Sequence, residues 1–156
     1  MNEIKVQKLD ARATFDKAKP GDAGWDLTMC SAWYDISCGL WVAKLGVIVE
    51  PPPGHFLQLV ARSSLAILGW QLANSTGIID AGYRGEWCAL LIPLYIHNLP
   101  TWQKSPSRIN LHDGWADKLL GRRICQAILL PHIEAAVAEA TPNVTERGAS
   151  GFGSTG

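Results

Sequence analysis

The stretch LGVIVEPPPGHFLQLVARSSLA, residues 45–66, decides the fold. LGVIVE is rich in β-branched residues and runs into three prolines and a glycine (51–54). Proline cannot donate to a sheet ladder, so that run ends a strand. HFLQLVA (55–61) opens a second apolar run, which stops at Arg62, Ser63 and Ser64. Short apolar runs cut by Pro and Gly are the pattern of an all-β sandwich or barrel.

The rest of the chain repeats this punctuation. IKVQKL (4–9) alternates, with Ile4 and Val6 on one side. TGIID (76–80), EWCALLIPLYI (86–96) and RRICQAILLPHI (122–133) read as further strands. One short helix is expected at SSLAILGWQL (63–72), where Ser63 or Ser64 could cap the first turn. IEAAVAEA (133–140) suits a helix, or a strand running into a loop. No repeat and no second domain is visible. We expect a single β domain over 1–146 and a flexible glycine-rich arm over 147–156. Asn98 to Gly121 is a long polar connection or insert, a length usually kept for function or motion.

Bulk composition narrows the function. Hydrophobic residues are 47% of the 156, enough for one core. Fourteen Lys and Arg balance 14 Asp and Glu. That balance argues against a nucleic-acid or membrane-surface partner. The polar start MNEIKVQKLD is no signal peptide, and no apolar run approaches the roughly 20 residues of a membrane helix. An intracellular, cytoplasmic protein is expected. Cys30, Cys38, Cys88 and Cys125 form no C-x-x-C pair and show no zinc spacing, so they read as reduced thiols.

Four polar clusters interrupt the strands. AGWDL (23–27) pairs Gly24 with Asp26, a turn signal. ARSSLA (61–66) puts an arginine and two hydroxyls where a strand meets a helix. That is a serviceable phosphate cradle, though serines cap helices everywhere. NSTGIIDAGYRGE (74–86) reads as a hairpin whose turn holds Asp80 and Tyr83. There Asp80 could act as a base or water-positioner, and Tyr83 as a platform for a ring. The fourth cluster is the tail, RGASGFGSTG (147–156). Its glycines can line up N–H groups around an anion, Arg147 can grip phosphate, and Phe152 can stack on a base.

Taken in order, these clusters resemble the five motifs of the trimeric deoxyuridine triphosphatases (dUTPases). The matches are AGWDL (23–27), RSSLA (62–66), GIIDAGYRGE (77–86), GRRICQ (121–126) and RGASGFGSTG (147–156). They span nearly the whole chain. The resemblance implies a jelly-roll or distorted β-barrel subunit in a homotrimer, with active sites shared between subunits and the last motif lent by a neighbour. It implies hydrolysis of dUTP to dUMP and pyrophosphate with Mg²⁺ on the triphosphate, which limits uracil in DNA and supplies dUMP. By this resemblance Asp80 is the general base, and Tyr83 packs under the deoxyribose and excludes a 2′-hydroxyl. Asn74, Gly77 and Ile79 read uracil. Arg62, Ser63, Ser64 and Gln126 contact phosphates, and Arg147, Gly153, Ser154 and Thr155 close on the γ-phosphate while Phe152 covers the base. No side chain is implied as a direct metal ligand; Asp26 would stand near the metal's water shell.

The chain departs from the family pattern in places. Arg122 stands where the fourth motif usually has an acid, Cys125 where it has alanine, and Trp25 where a smaller residue or Tyr is usual. The 98–121 segment exceeds the usual connection by roughly ten residues and carries Trp102 and Trp115, so it is expected to cover the trimer surface or to bind a protein partner. The rival enzyme is dCTP deaminase, of related fold. It needs a glutamate about ten residues after the Asp80 position to shuttle a proton. Here that place holds Ala89, Leu90 and Leu91. A regulatory role through a partner protein is the non-enzymatic alternative.

Overall fold

The computed structural model describes residues 3–94, 108–110 and 118–149, the short middle stretch as backbone only. Eleven strands and one helix follow in order: β1 (Lys5–Lys8), β2 (Trp25–Thr28), β3 (Ser31–Asp35), β4 (Leu40–Lys44), β5 (Val47–Glu50), β6 (His55–Ala61), α1 (Ser63–Ile67), β7 (Trp70–Leu72), β8 (Thr76–Ile79), β9 (Cys88–Pro93), β10 (Arg108–Asn110) and β11 (Arg123–Pro131). All pairings are antiparallel. One sheet runs β10-β3-β4-β9-β7, a second β2-β11-β6-β8, and β1 pairs with β5. The all-β jelly roll read from the sequence is the observed architecture.

Side-chain alternation builds the core. In β5 Val47 and Val49 point inward, in β4 Trp41 and Ala43, and in β6 Leu57 and Leu59. Both main sheets turn these faces toward a shared interior that also holds Leu27, Met29, Leu45, Leu91 and Ile124, all 0–1% exposed. Burying such side chains stabilises by about 1.5–3 kcal/mol each, before chain entropy is counted. The PPPG breaker does its expected work: β5 belongs to the small sheet, β6 to the four-stranded one. Gly54 O then accepts His132 N–H at 2.8 Å, tying the turn to the end of β11.

Several expectations need correction. The helix stops at Ile67, five residues in, because Gly69 takes φ 82° and Trp70–Leu72 enters the sheet as β7. Neither Ser63 nor Ser64 caps it: the cap residue is Arg62, with no side-chain cap bond. Residues 74–86 are not a hairpin. β8 pairs with β6 while β9 pairs with β4 and β7, so the chain crosses between sheets there. The run 133–140 takes neither helix nor strand and is exposed, with Ile133 at 84% and Val137 at 99%. Val6 is 38% exposed, since no face of β1 is buried. β2, β3 and β4 are strands the sequence reading did not single out. Most of the 98–121 segment, with Trp102 and Trp115, lies outside the described residues, as do Phe152, Gly153, Ser154 and Thr155.

Candidate active site

The crossing from β7 to β8 opens a pocket of about 340 Å³. Leu72 still pairs with Leu91, and Ala73 N–H still reaches Leu90 O at 2.8 Å. The chain then turns sharply. Ser75 has φ 58°, the only positive φ outside glycine among the described residues, and Thr76 N–H returns to Asn74 O. From Thr76 the strand pairs with β6 instead. β9 and β8 therefore diverge, and the space between them is lined by Asn74, Gly77, Ile79, Asp80 and Tyr83, all anticipated, with Trp87 beside them. The volume suits a nucleoside-sized ligand.

Asp80 and Tyr83 come from one tight loop. Tyr83 N–H donates to Asp80 O at 3.0 Å. Arg84 Nη1 donates to Ala81 O at 2.7 Å and Tyr83 O at 2.9 Å, while Nη2 stands 3.0 Å from Glu50 Oε2. Glu86 pairs with Lys44 on β4. One backbone bond thus links Asp80 and Tyr83, two ion pairs tie down Arg84 and Glu86 of the same loop, and both Asp80 and Tyr83 remain exposed. Trp87, fully buried, packs edge-on against Phe15 (6.1 Å, 82°), which stacks on Trp25 (5.6 Å, 14°). Lys17 Nζ sits 4.4 Å over Trp25. This column carries pocket loop and first motif in one packed unit.

A second cluster gathers the cations. Asp26, 2% exposed, lies within β2 rather than in the turn suggested by AGWDL. Its Oδ1 pairs with Arg62 Nη1 and accepts Gln126 Nε2 at 3.0 Å; its Oδ2 takes Arg123 Nη1 at 3.0 Å. Gln126 is directly opposite Asp26 in the ladder. Arg123 is three residues earlier and would face away in a regular strand. A register shift between Arg123 and Cys125 turns it back onto the same carboxylate. Both Asp26 oxygens are thereby engaged by donors, which makes it an anchor for the cations of this cluster. Arg122 is exposed and takes no part in the ion pairs on Asp26, which are made by Arg62 and Arg123. Arg123 was missed because a strand arginine reads as surface until the bulge is known.

Pocket and cluster are separate within one chain. Ile79 pairs with Leu57, while Arg62 lies at the other end of β6. At 3.3 Å per residue Asp80 and Arg62 are roughly 15–20 Å apart along the sheet. Arg147 occupies an exposed turn, with Gly148 N–H on Thr145 O at 3.1 Å, outside the pocket. Ser63 is exposed and Ser64 half-buried at the start of α1, and so short a helix adds little dipole. Among the described residues no three His, Cys, Asp or Glu side chains stand together to hold a metal, and no helix is long and apolar enough to cross a membrane.

Comparison with known proteins gives the site its context. No protein-family model matches the chain. A deoxyuridine 5′-triphosphate nucleotidohydrolase of Cutibacterium acnes is 36% identical over 143 residues, covering 89% of this chain and 82% of that one. Its counterpart from Picosynechococcus is 32% identical over 157 residues, 98% of each chain. Among solved structures, the dUTPase of Staphylococcus bacteriophage 80alpha with dUPNHPP superposes with a TM-score of 0.69 at 25% identity, over 100% of this chain and 99% of that one. The EIAV dUTPase has the same fold, with a TM-score of 0.59 at 22% identity over 92% and 100%.

Proposed function

The chain belongs to the deoxyuridine 5′-triphosphate nucleotidohydrolases, and from that premise we propose that it hydrolyses dUTP to dUMP and pyrophosphate by water attack on the α-phosphorus. The observation carrying this reading is the pocket between β8 and β9, which joins Asp80 and Tyr83 to a strand edge.

The base enters between Asn74 and Ile79. There the outer edge of β8 offers backbone donors and acceptors that suit uracil, and cytosine would leave buried groups unpaired. Tyr83 packs under the sugar and leaves no room for a 2′-hydroxyl. The Asp80 carboxylate takes a proton from a water as that water's oxygen bonds to the α-phosphorus. The bond from the α-phosphorus to the bridging oxygen breaks, and pyrophosphate leaves with its electron pair. Arg62 and Gln126, oriented by Asp26, bind the triphosphate, with Ser63 and Ser64 beside them. Magnesium suits a triphosphate gripped by Arg62 and Gln126, since it keeps its waters and leans on phosphate oxygens; when bound it would neutralise charge and align the triphosphate. Arg147, Phe152, Gly153, Ser154 and Thr155 close over the nucleotide as a lid.

A complete site takes more than one copy. Asp80 and Arg62 are too far apart along their sheet for one α-phosphate, so the Asp80 pocket of one chain meets the Arg62 cluster of another. A homotrimer with shared sites, acting inside the cell, is the corresponding assembly. Mixing Asp80→Asn chains with Arg62→Ala chains tests it. Each variant alone is inactive, and refolded mixtures regain activity if sites are shared; no recovery refutes sharing. The activity itself is tested by pyrophosphate release across dUTP, UTP, dCTP and dTTP. Release from dUTP alone is expected, and ammonia from dCTP overturns the reading. The partner protein at 98–121 remains a proposal, which a deletion that leaves every interaction unchanged would remove.

A further inference from the structure

The tip of the Tyr83 ring rests against the backbone of Gly85. A Cβ at Gly85 would lie 2.5 Å from Tyr83 Cζ and 3.0 Å from Cε2, and nearer still to Oη. Real Cβ atoms do not approach so closely. Gly85 does not occupy the left-handed region, so its backbone suits any residue; only the ring stands in the way. The ring is held there: Tyr83 Oη donates to Glu86 O at 3.3 Å, and Glu86 is fixed by Lys44. Arg84 clasps the carbonyls of Ala81 and Tyr83 in the same loop. Tyr83 lines the pocket and Gly85 does not, so Gly85 touches the ligand space only through the ring.

We propose that Gly85 is a positioning residue that sets the width of the sugar site, by giving the Tyr83 ring room to withdraw from the pocket. This rests on the reading of Tyr83 as the sugar platform. A side chain at position 85 displaces the ring tip and breaks the Tyr83 Oη–Glu86 O bond that holds it, and the displaced ring takes up space in the pocket it lines. The room for a deoxyribose is then lost, while Asp80, none of whose atoms is among the nearest to a Cβ at Gly85, keeps its chemistry.

The test is a double-mutant cycle with dUTP, comparing the wild type, Gly85→Ala, Tyr83→Ala and the double variant. Gly85→Ala raises KM by roughly tenfold or more with kcat little changed. Added to Tyr83→Ala, the same substitution shifts KM by no more than about twofold, because no ring remains to displace. A wild-type KM in Gly85→Ala, or an equal penalty with and without the Tyr83 ring, overturns the proposal. If Gly85→Ala does not fold, the double variant decides: a folded double variant shows that the ring alone excludes a side chain at 85, and an unfolded one overturns the idea. Failure of the underlying reading looks different. If Tyr83→Ala leaves the preference for dUTP over UTP unchanged, Tyr83 is not the sugar platform, whatever the cycle reports.

Discussion

Arg123 Nη1 stands 3.0 Å from Oδ2 of Asp26, a carboxylate 2% exposed and 97 residues away along the chain. Arg62 meets the other oxygen of the same carboxylate. Removing Asp26 leaves two guanidiniums facing each other with nothing between them. Asp26→Ala should cost about 2–3 kcal/mol, at the lower end for a broken buried pair because Arg123 is half exposed. Thermal unfolding at fixed protein concentration should fall by roughly 5–10 °C. KM for dUTP should rise as well, since Arg62 and Gln126 lose their anchor.

Asp80→Asn is nearly isosteric and removes only the proton acceptor. Turnover should drop by at least about a hundredfold, with affinity for a non-hydrolysable dUTP analogue retained. Steady-state kinetics and calorimetric titration separate the two effects. Unchanged turnover would show that Asp80 is not the base.

The chain from His132 to Ala149 is exposed throughout and contributes nothing to the core. Deleting 147–156 should therefore leave the melting temperature and the oligomer intact while kcat/KM collapses. Size-exclusion chromatography and pyrophosphate release check this. Loss of the fold would make the tail structural.

The four thiols should separate by accessibility and by pH. Burial pushes Cys125 up to about 12 and raises Cys30 as well. Cys88 is raised first by burial and then by the charge of Glu86. A raised thiol holds its proton, so its alkylation stays slow near neutrality and keeps accelerating above its ordinary 9.0. At pH 8 exposed Cys38 should be labelled first, exposed Cys88 more slowly because its thiol is raised, and buried Cys30 and Cys125 should not react. Cys88 lines the pocket with Asp80, so dUMP should protect it and leave Cys38 unaffected. Peptide mass spectrometry gives both rates.

What was legible in the sequence follows the strength of local signals. Pro51–Gly54 and the apolar runs around it mark β5 and β6 because breakers act on the backbone directly. The hairpin of β3 and β4 was passed over. Its buried Ala32, Trp41 and Ala43 alternate with half-exposed residues over only five positions per strand, closed by Gly39 at φ 71°. Within the site, the types and order of Asp80, Tyr83, Arg62 and Gln126 were readable. Their distribution over two separate regions was not, because that depends on β8 pairing with β6 rather than with β9. The bulge that brings Arg123 to Asp26 is equally invisible to a period-two reading.

β8 ends the four-stranded sheet among the described residues, so one side of it carries no neighbouring strand. Bare rims of this kind invite stray chains to add on, and proteins usually blunt them with charge, proline or a covering loop. Here the rim borders the ligand pocket, and an approaching polypeptide and a nucleobase would compete for the same N–H and C=O groups. Nucleotide occupancy should therefore protect the protein against clumping as well as feed its chemistry. A starved preparation should precipitate sooner on gentle heating than one kept saturated with product.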